Sequence, residues 1–296
     1  MPYQSDIQDP RDQYPKISPP QQTQPEPGLD KAMTPQADHG GDTYEGMDRL
    51  KGRKALITGA DSGIGRAVAL AYIREGAAVA INYLESESPD VERLKKDLGD
   101  DADKLVCLPG DLTDETFARS LVRDAADKLG GLDIVVNNAG KQRSVEDIAN
   151  VSTEQLEQTF TVNVFALVWM VQEALVFLRP GATIINTSSI QATQPSPDKI
   201  DYAATKAAIT SLTKGLSMQL APKGIRVNAV APGPVWTPLQ PSHGQQPEEL
   251  PKFGHDTPLG RAGQPAELAG AYVFLASQES SYVTGAVIAV TGGKLL

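Results

Sequence analysis

Tyr202 and Lys206 stand four residues apart in IDYAATKAAITSLTKGLSMQLA. The segment reads as a helix, and residues at i and i+4 share one helical face, so a phenol is set beside an ammonium. An isolated tyrosine titrates near ~10, too high to exchange protons readily at neutral pH. A neighbouring cation favours the phenolate and lowers that value, and the pair can then act as general acid and base on an alcohol or a carbonyl. Moving a pKa by two units takes about 2.7 kcal/mol, within reach of one close, partly desolvated cation. A half-buried tyrosine beside a solvated lysine has the same spacing, so the pair gains meaning only from the elements that position it.

The amino-terminal third supplies the first of these. KALITGADSGIGRAVALAYIREGAAVAINYLE reads as strand, glycine turn, helix and strand. Lys54–Thr58 is a short apolar strand, followed by Gly59, Gly63 and Gly65 at the spacing Gly-x-x-x-Gly-x-Gly, with Ser62 and Ile64 between them. Arg66–Glu75 has helical periodicity, Gly76 ends it as a helix cap would, and Ala77–Tyr83 is a second apolar run. Glycines in such a turn let a pyrophosphate approach the backbone and the helix amino terminus. Placed inside a βαβ unit, they predict dinucleotide binding.

From Leu50 onward β and α patterns alternate, as a doubly wound parallel sheet requires. Further strands are expected at 104–108, 132–137, 182–187, 225–230 and 286–290, and helices at 91–98, 115–129, 153–178, 202–220 and 265–276. The fold class is α/β: a single doubly wound (Rossmann) domain of about seven parallel strands with helices on both faces. Right-handed crossovers place all strand carboxyl ends on one edge, where ligands bind in open α/β sheets. Most of the chemistry-bearing motifs fall at such ends.

From about Leu50 to Gly293 the chain resembles the short-chain dehydrogenase/reductase family. The resemblance rests on TGADSGIG at Thr58–Gly65, NNAG at Asn137–Gly140, Asn163 in TVNVFA, Ser189 in INTSSIQA, Tyr202 with Lys206, and Pro232–Gly233. It is similar in particular to the glucose-dehydrogenase-like and general-stress-protein branch, whose members often carry a proline- and glutamine-rich amino-terminal extension. The resemblance implies a catalytic group of Asn163, Ser189, Tyr202 and Lys206. Ser189 would stabilise charge on the substrate oxygen, while Ser188 should point the other way by strand alternation. Tyr202 would transfer the proton, and Lys206 would hold the nicotinamide ribose and lower the tyrosine pKa. Asn163 would bend its helix and bind a relay water, or else be a buried amide satisfied by backbone. For the cofactor it implies Gly59, Ser62, Gly63, Ile64 and Gly65 at the pyrophosphate, Tyr83 at the ribose, Asp111 and Leu112 at the adenine, and Asn138, Ala139 and Gly140 beside the adenosine. Pro232, Gly233, Val235 and Thr237 would surround the nicotinamide, together with Tyr202 and Lys206.

NADP and NAD both remain open. An acidic residue about 20 positions beyond the glycine turn would favour NAD, but the second strand ends at Tyr83 and Leu84 follows. No arginine replaces it; Arg66 is expected to face solvent or a carboxylate such as Glu85. Glu85 and Glu87 would disfavour a phosphate if they turn inward. With no dedicated charge in view, selectivity below about a hundredfold is expected, which corresponds to roughly 2.7 kcal/mol.

A net charge of -10 argues against nucleic acid, and no apolar stretch is long enough to cross a bilayer. The start, MPYQSDIQDPRDQYP, has no signal-peptide pattern, so a cytoplasmic enzyme is expected. Cys107 is the only cysteine, and His39, His243 and His255 lie scattered in loops, so no metal site is expected. Residues 1–46 are expected to form an extended or disordered arm, since they carry little apolar pattern. The other reading is an arm lying on a neighbouring subunit through Tyr3, Tyr14, Ile17 and Leu29. Residues 47–296 form the dehydrogenase domain, with a substrate lid at about 238–256. Gln191, Gln194 and Trp236 either line a pocket for a small carbonyl, alcohol or sugar substrate or simply pack in loops. Segments 153–178 and 202–220, with Phe165, Trp169 and Met170, are apolar beyond one stripe, and relatives pair these helices. A homodimer or homotetramer is therefore expected. The alternative function is a catalytically silent, dinucleotide-binding regulatory protein or a stress-associated interaction protein.

Overall fold

The computed structural model describes residues 7–296. Its centre is a seven-stranded, wholly parallel sheet: β1 (Lys54–Thr58), β2 (Ala78–Tyr83), β3 (Leu105–Pro109), β4 (Ile134–Asn137), β5 (Thr183–Thr187), β6 (Arg226–Pro232) and β7 (Val287–Val290). The spatial order is β3-β2-β1-β4-β5-β6-β7. The chain reverses its direction of strand addition between β1 and β4, and at that switch point an open α/β sheet leaves a crevice at its carboxyl edge.

Strand alternation builds two cores. Ala55, Ile57, Val79, Ile81, Ile134, Val136 and Ile185 face one layer, made by α1 (Gly63–Arg74), α2 (Ser88–Leu98) and α7 (Ala266–Ala276). Leu56, Ala80, Val135, Ile184 and Val227 face the other, made by α3 (Glu115–Leu129), α5 (Ala166–Ala174) and α6 (Ile200–Leu220). α4 (Thr153–Phe160) leads into α5 through a π turn, Thr161–Phe165. The expected strands and helices are all present, with ends displaced by a few residues. The single helix expected over 153–178 is the main difference, since it is divided by that turn and ends at Ala174.

The arm corrects a second expectation. Its described part is neither loose nor disordered; it lies along its own domain. Composition misjudged it because the attachment is chiefly polar. Arginines of the domain take the arm's carbonyls: Arg261 donates to Pro10 O at 2.7 Å, and Arg74 donates to Gly40 O at 3.0 Å and Tyr44 O at 2.8 Å. Asp30 is buried on Arg66 and on His39, 2.6 Å from its Nε2. Arg66 thus faces Asp30 and Asp97, not solvent or Glu85. Met33 packs with Trp236, Leu250 and Phe253, and Trp236 Nε1 donates to Pro35 O at 2.9 Å. Tyr14 is buried under Arg261, while Ile17 and Leu29 are half-buried on the same chain. Tyr3 lies outside the described residues.

Candidate active site

α6 carries Tyr202 and Lys206 to the switch-point crevice, and its first turn is fixed from outside. The Asp201 carboxylate accepts from Gln155 Nε2 and Thr159 Oγ1, both at 3.0 Å, and from the Tyr202 N–H at 2.8 Å. α4 is thereby tied to the start of α6. Ser189 follows β5 in extended backbone, accepts from the Gln191 N–H at 3.1 Å, and lies beside the Tyr202 phenol, whose proton affinity it lowers. Ser188 turns away, to Thr210 Oγ1 at 2.7 Å and Lys206 O at 3.2 Å, as alternation requires. Lys206 Nζ donates to Thr187 O at 2.8 Å and sits 5.3 Å from the centre of the Tyr202 ring.

The proton affinities run opposite to the sequence expectation. Burial pushes the Tyr202 phenol up to about 12, and Ser189 only partly opposes this. Burial also pushes Lys206 down to about 8. The lysine does not lower the tyrosine here, because desolvation penalises the charged form of each and the ammonium is aimed at a backbone carbonyl. A neutral phenol buried in this way is a proton donor at neutral pH.

Asn163 sits in the π turn, a deformation that recurs at functional sites. Its Oδ1 accepts from the Lys141 N–H at 2.7 Å, and its Nδ2 donates to Lys141 O and Thr205 Oγ1, each at 2.9 Å. Both amide hydrogens are used inside the protein, so the side chain is not free for a relay water. It clamps the backbone just after Gly140 and does not itself line the cavity. A Cβ at Gly140 would lie 3.6 Å from both Asn163 Oδ1 and Lys206 Nζ.

These groups open on a cavity of about 1430 Å³ along the sheet edge. Ser189, Tyr202 and Lys206 line it, as do Gly59, Ser62, Gly63, Ile64, Tyr83, Asp111 and Leu112. Asn138, Ala139, Gly140, Pro232, Gly233, Val235 and Thr237 complete the expected set on its wall. Gly65 does not reach it. A Cβ there would stand 2.0 Å from Gly59 O and 2.6 Å from Asn138 Nδ2, and one at Gly59 would stand 2.9 Å from Ala139 Cα. Two of the three glycines therefore serve the packing of α1 and the β4 turn on β1. Gly63, at φ +49°, is the one whose missing side chain keeps the cavity wall clear, beside Thr237. Asp111 faces the cavity with one oxygen already accepting the Thr113 N–H at 2.8 Å, while Asp114 caps α3.

The crevice fits a dinucleotide. α1 begins after Ser62 with no side-chain cap; the Gly63 N–H is turned onto Asp30, and the N–H groups that follow it are left for an anion at the cavity wall. Gln191 and Gln194 line the cavity, but Trp236 is fully buried beneath the arm and lines nothing. Residues 238–256 are tied to the neighbouring loop: Gln142 Nε2 donates to Gly244 O at 2.6 Å, and the Ser144 N–H to His243 O at 2.8 Å.

Several participants were not singled out, or were named only conditionally, from the sequence. Glu26 and Pro27 of the arm line the cavity, with Glu26 paired to Lys141. Asp61 and Glu87 also line it, both buried. For Asp61 the acidic residue inside TGADSGIG was a readable signal, and Glu87, expected to matter if it turned inward, does turn inward. Among the described residues no cluster of three or more His, Cys, Asp or Glu side chains could hold a metal, and no helix is long and apolar enough to cross a membrane.

Comparison with known proteins gives a consistent picture. A family model described as Enoyl-(Acyl carrier protein) reductase matches residues 59–294. The "Uncharacterized oxidoreductase YghA" of Escherichia coli (strain K12) is 58% identical over 99% of this chain and 99% of its own length. The "Glucose and ribitol dehydrogenase" of Daucus carota is 43% identical over 94% of this chain and 97% of its own length. Among solved structures, a short chain dehydrogenase from Burkholderia cenocepacia J2315 in complex with NADP is 31% identical, covering 83% of this chain and 98% of that one, with a TM-score of 0.77.

Proposed function

The chain belongs to the short-chain dehydrogenase/reductase family, and from that premise we propose that Tyr202 is its general acid/base, Ser189 its oxyanion partner, and Lys206 its cofactor-side cation. It is an NAD(P)-dependent oxidoreductase that moves a hydride between a nicotinamide and a small carbonyl or alcohol. The bound nicotinamide supplies or accepts the hydride; the protein supplies everything else. Ser189 Oγ donates a hydrogen bond to the substrate oxygen, stabilising the charge that grows there. The Tyr202 phenol gives its proton to that oxygen in reduction and takes one back in oxidation. Its high proton affinity in the free protein favours the donating role. Lys206 Nζ, held by Thr187 O, is poised for the ribose hydroxyls. Asn163 acts through Lys141 and is a positioning residue.

The observation that carries this reading is that Ser189, Tyr202 and Lys206 line one cavity together with the glycine turn, with Lys206 Nζ 5.3 Å from the centre of the Tyr202 ring. The cavity's polar wall, with Gln142, Gln191 and Gln194, suits a small hydroxylated substrate, a sugar or polyol among them, as the name of the carrot relative suggests. A cytoplasmic site of action suits a chain with a single cysteine, and an assembly of two or four subunits suits its exposed helical face.

The test is Tyr202→Phe. Turnover on aldehydes, ketones, sugars and polyols should fall by about a hundredfold or more, the usual worth of a general acid/base. Binding of reduced nicotinamide dinucleotide, followed by fluorescence, should stay within about threefold. Retention of more than roughly a tenth of the turnover would contradict the assignment.

A further inference from the structure

The cavity extends past the glycine turn to the carboxyl ends of β2 and β3, where Asn82, Tyr83, Leu84, Gly110 and Asp111 line it. A dinucleotide with its nicotinamide at Tyr202 must place its adenosine here, with the ribose nearest the end of β2. Tyr83, at the strand end, offers no carboxylate. Two carboxyl groups nevertheless reach this end of the cavity from other elements. Asp61 comes from the turn between β1 and α1 and is 1% exposed; Glu87 comes from the turn Glu85–Glu87 after β2 and is 8% exposed. Both line the cavity.

The two are not equally satisfied. Glu87 Oε2 accepts the Leu84 N–H at 2.7 Å. Asp61 Oδ2 has no hydrogen-bond partner among the described residues. A buried acceptor left without a donor is costly and calls for one from a ligand or a water. No cation answers it from Arg66, which is turned away onto Asp30 and Asp97.

We propose that Asp61, backed by Glu87, reads the 2′ position of the adenosine ribose, accepting a hydrogen bond from a 2′-hydroxyl and opposing a 2′-phosphate, so that the enzyme selects NAD over NADP. The proposal rests on the dinucleotide reading above. A 2′-hydroxyl supplies the donor that Asp61 Oδ2 lacks, whereas a phosphate brings only acceptors and like charge. Ser62 of the same turn hydrogen-bonds the Asp61 carboxyl, and the other groups that face the pair are carboxyls. Asp30 and Glu87 face Asp61, and Asp90 faces Glu87. Asp30 is in turn matched by His39 and Arg66. Burial first, and then Glu87, pushes Asp61 well above the usual carboxylate range, and burial pushes Glu87 up to about 7. The pair therefore grows more negative as pH rises through the Glu87 value of about 7, and its opposition to a phosphate grows with it.

The experiment titrates the full chain with NADH and with NADPH, reading binding by fluorescence near pH 8.5 and near pH 6, for the wild type, Asp61→Asn and Glu87→Gln. The wild type should bind NADH at least ~30-fold tighter near pH 8.5, with the ratio falling several-fold near pH 6. Asp61→Asn should bring the two within about fivefold, mainly by tightening NADPH, and should abolish the pH dependence of the ratio beyond what the phosphate itself contributes. Glu87→Gln should fall between. Equal or tighter NADPH binding by the wild type would overturn the proposal, as would an unchanged ratio in a folded Asp61→Asn. If that variant does not fold, a wild-type ratio that fails to drop toward pH 6 overturns it. Binding of neither dinucleotide would defeat the dinucleotide reading as well, which separates the two failures.

Discussion

Replacing Glu75 by Gln tests how the arm is fastened to the helix that begins at the cofactor turn. Glu75 caps the carboxyl end of α1 and is fully buried. Its Oε1 accepts from Tyr44 Oη at 2.7 Å and from Arg49 Nη2 at 2.6 Å, and its Oε2 from the N–H groups of Met47 at 2.9 Å and Arg49 at 3.0 Å. Burial alone would raise this carboxyl; the donors outweigh it and hold it down to about 2, against an ordinary 4.5. A folded pKa below the unfolded one contributes stability that is complete above the unfolded value and is lost as pH falls through the folded value. The gap corresponds to about 3 kcal/mol at pH 7, falling to roughly 1.4 kcal/mol at pH 3. Gln removes the charge and turns an N–H₂ toward donors, so Glu75→Gln should lose at least that much at neutral pH. Urea unfolding of wild type and variant across pH 7 to 3.5 measures it: a difference of about 3 kcal/mol that shrinks steadily toward acid. A variant within about 1 kcal/mol of wild type at pH 7, or a difference that does not shrink, would refute the reasoning.

Two further outcomes follow from the site and the surface. Asn163→Ala frees the Lys141 backbone and should lower kcat by about tenfold or more, as small misplacements at a reacting centre do, while Lys141→Ala, which keeps both backbone bonds, should cost far less. Equal effects in steady-state kinetics would remove the positioning role. Leu156, Phe165 and Met218 are 43%, 47% and 74% exposed on α4, the π turn and α6, and light scattering at micromolar concentration should find a dimer or tetramer; a monomer would count against a paired helical face.

The order of elements could be read because it is periodic. Each strand shows its two faces to two separate cores, and the alternation of Ala55, Leu56 and Ile57 already states this in the sequence. The Tyr202–Lys206 spacing is equally local, so one helix suffices to place it. What escaped was the matching of polar groups far apart in the chain. Arg66 appeared free because its partners, Asp30 and Asp97, lie 36 and 31 residues away. Met170 was counted with an outer apolar face, yet it is buried in the core, and the outward aromatic row is Phe160, Phe165 and Trp169. The proton affinity of Tyr202 also ran the other way, since spacing gives the distance to a lysine but not the burial of both.

The arm unites these failures, and it bears directly on the site. A segment poor in apolar residues was judged unable to offset its ordering entropy. That holds for a segment that must form its own core. Residues 7–46 need no core, because the domain presents arginines whose desolvation is relieved in part by the arm's carbonyls and by Asp30, alongside Asp97 and Glu267 of the domain itself. The cost of burying Arg66 and the cost of ordering the arm are therefore met in part by the same contacts, and neither is intelligible from composition alone. The consequence reaches the chemistry: Asp30 stands against the turn that carries Asp61 and Gly63, and the Pro27 and Gly28 backbone lies on Ser242, in the segment 238–256 that borders the cavity. Arm, glycine turn and the segment 238–256 are one continuous polar structure along the cavity, so a change in the arm should be felt first at that cavity.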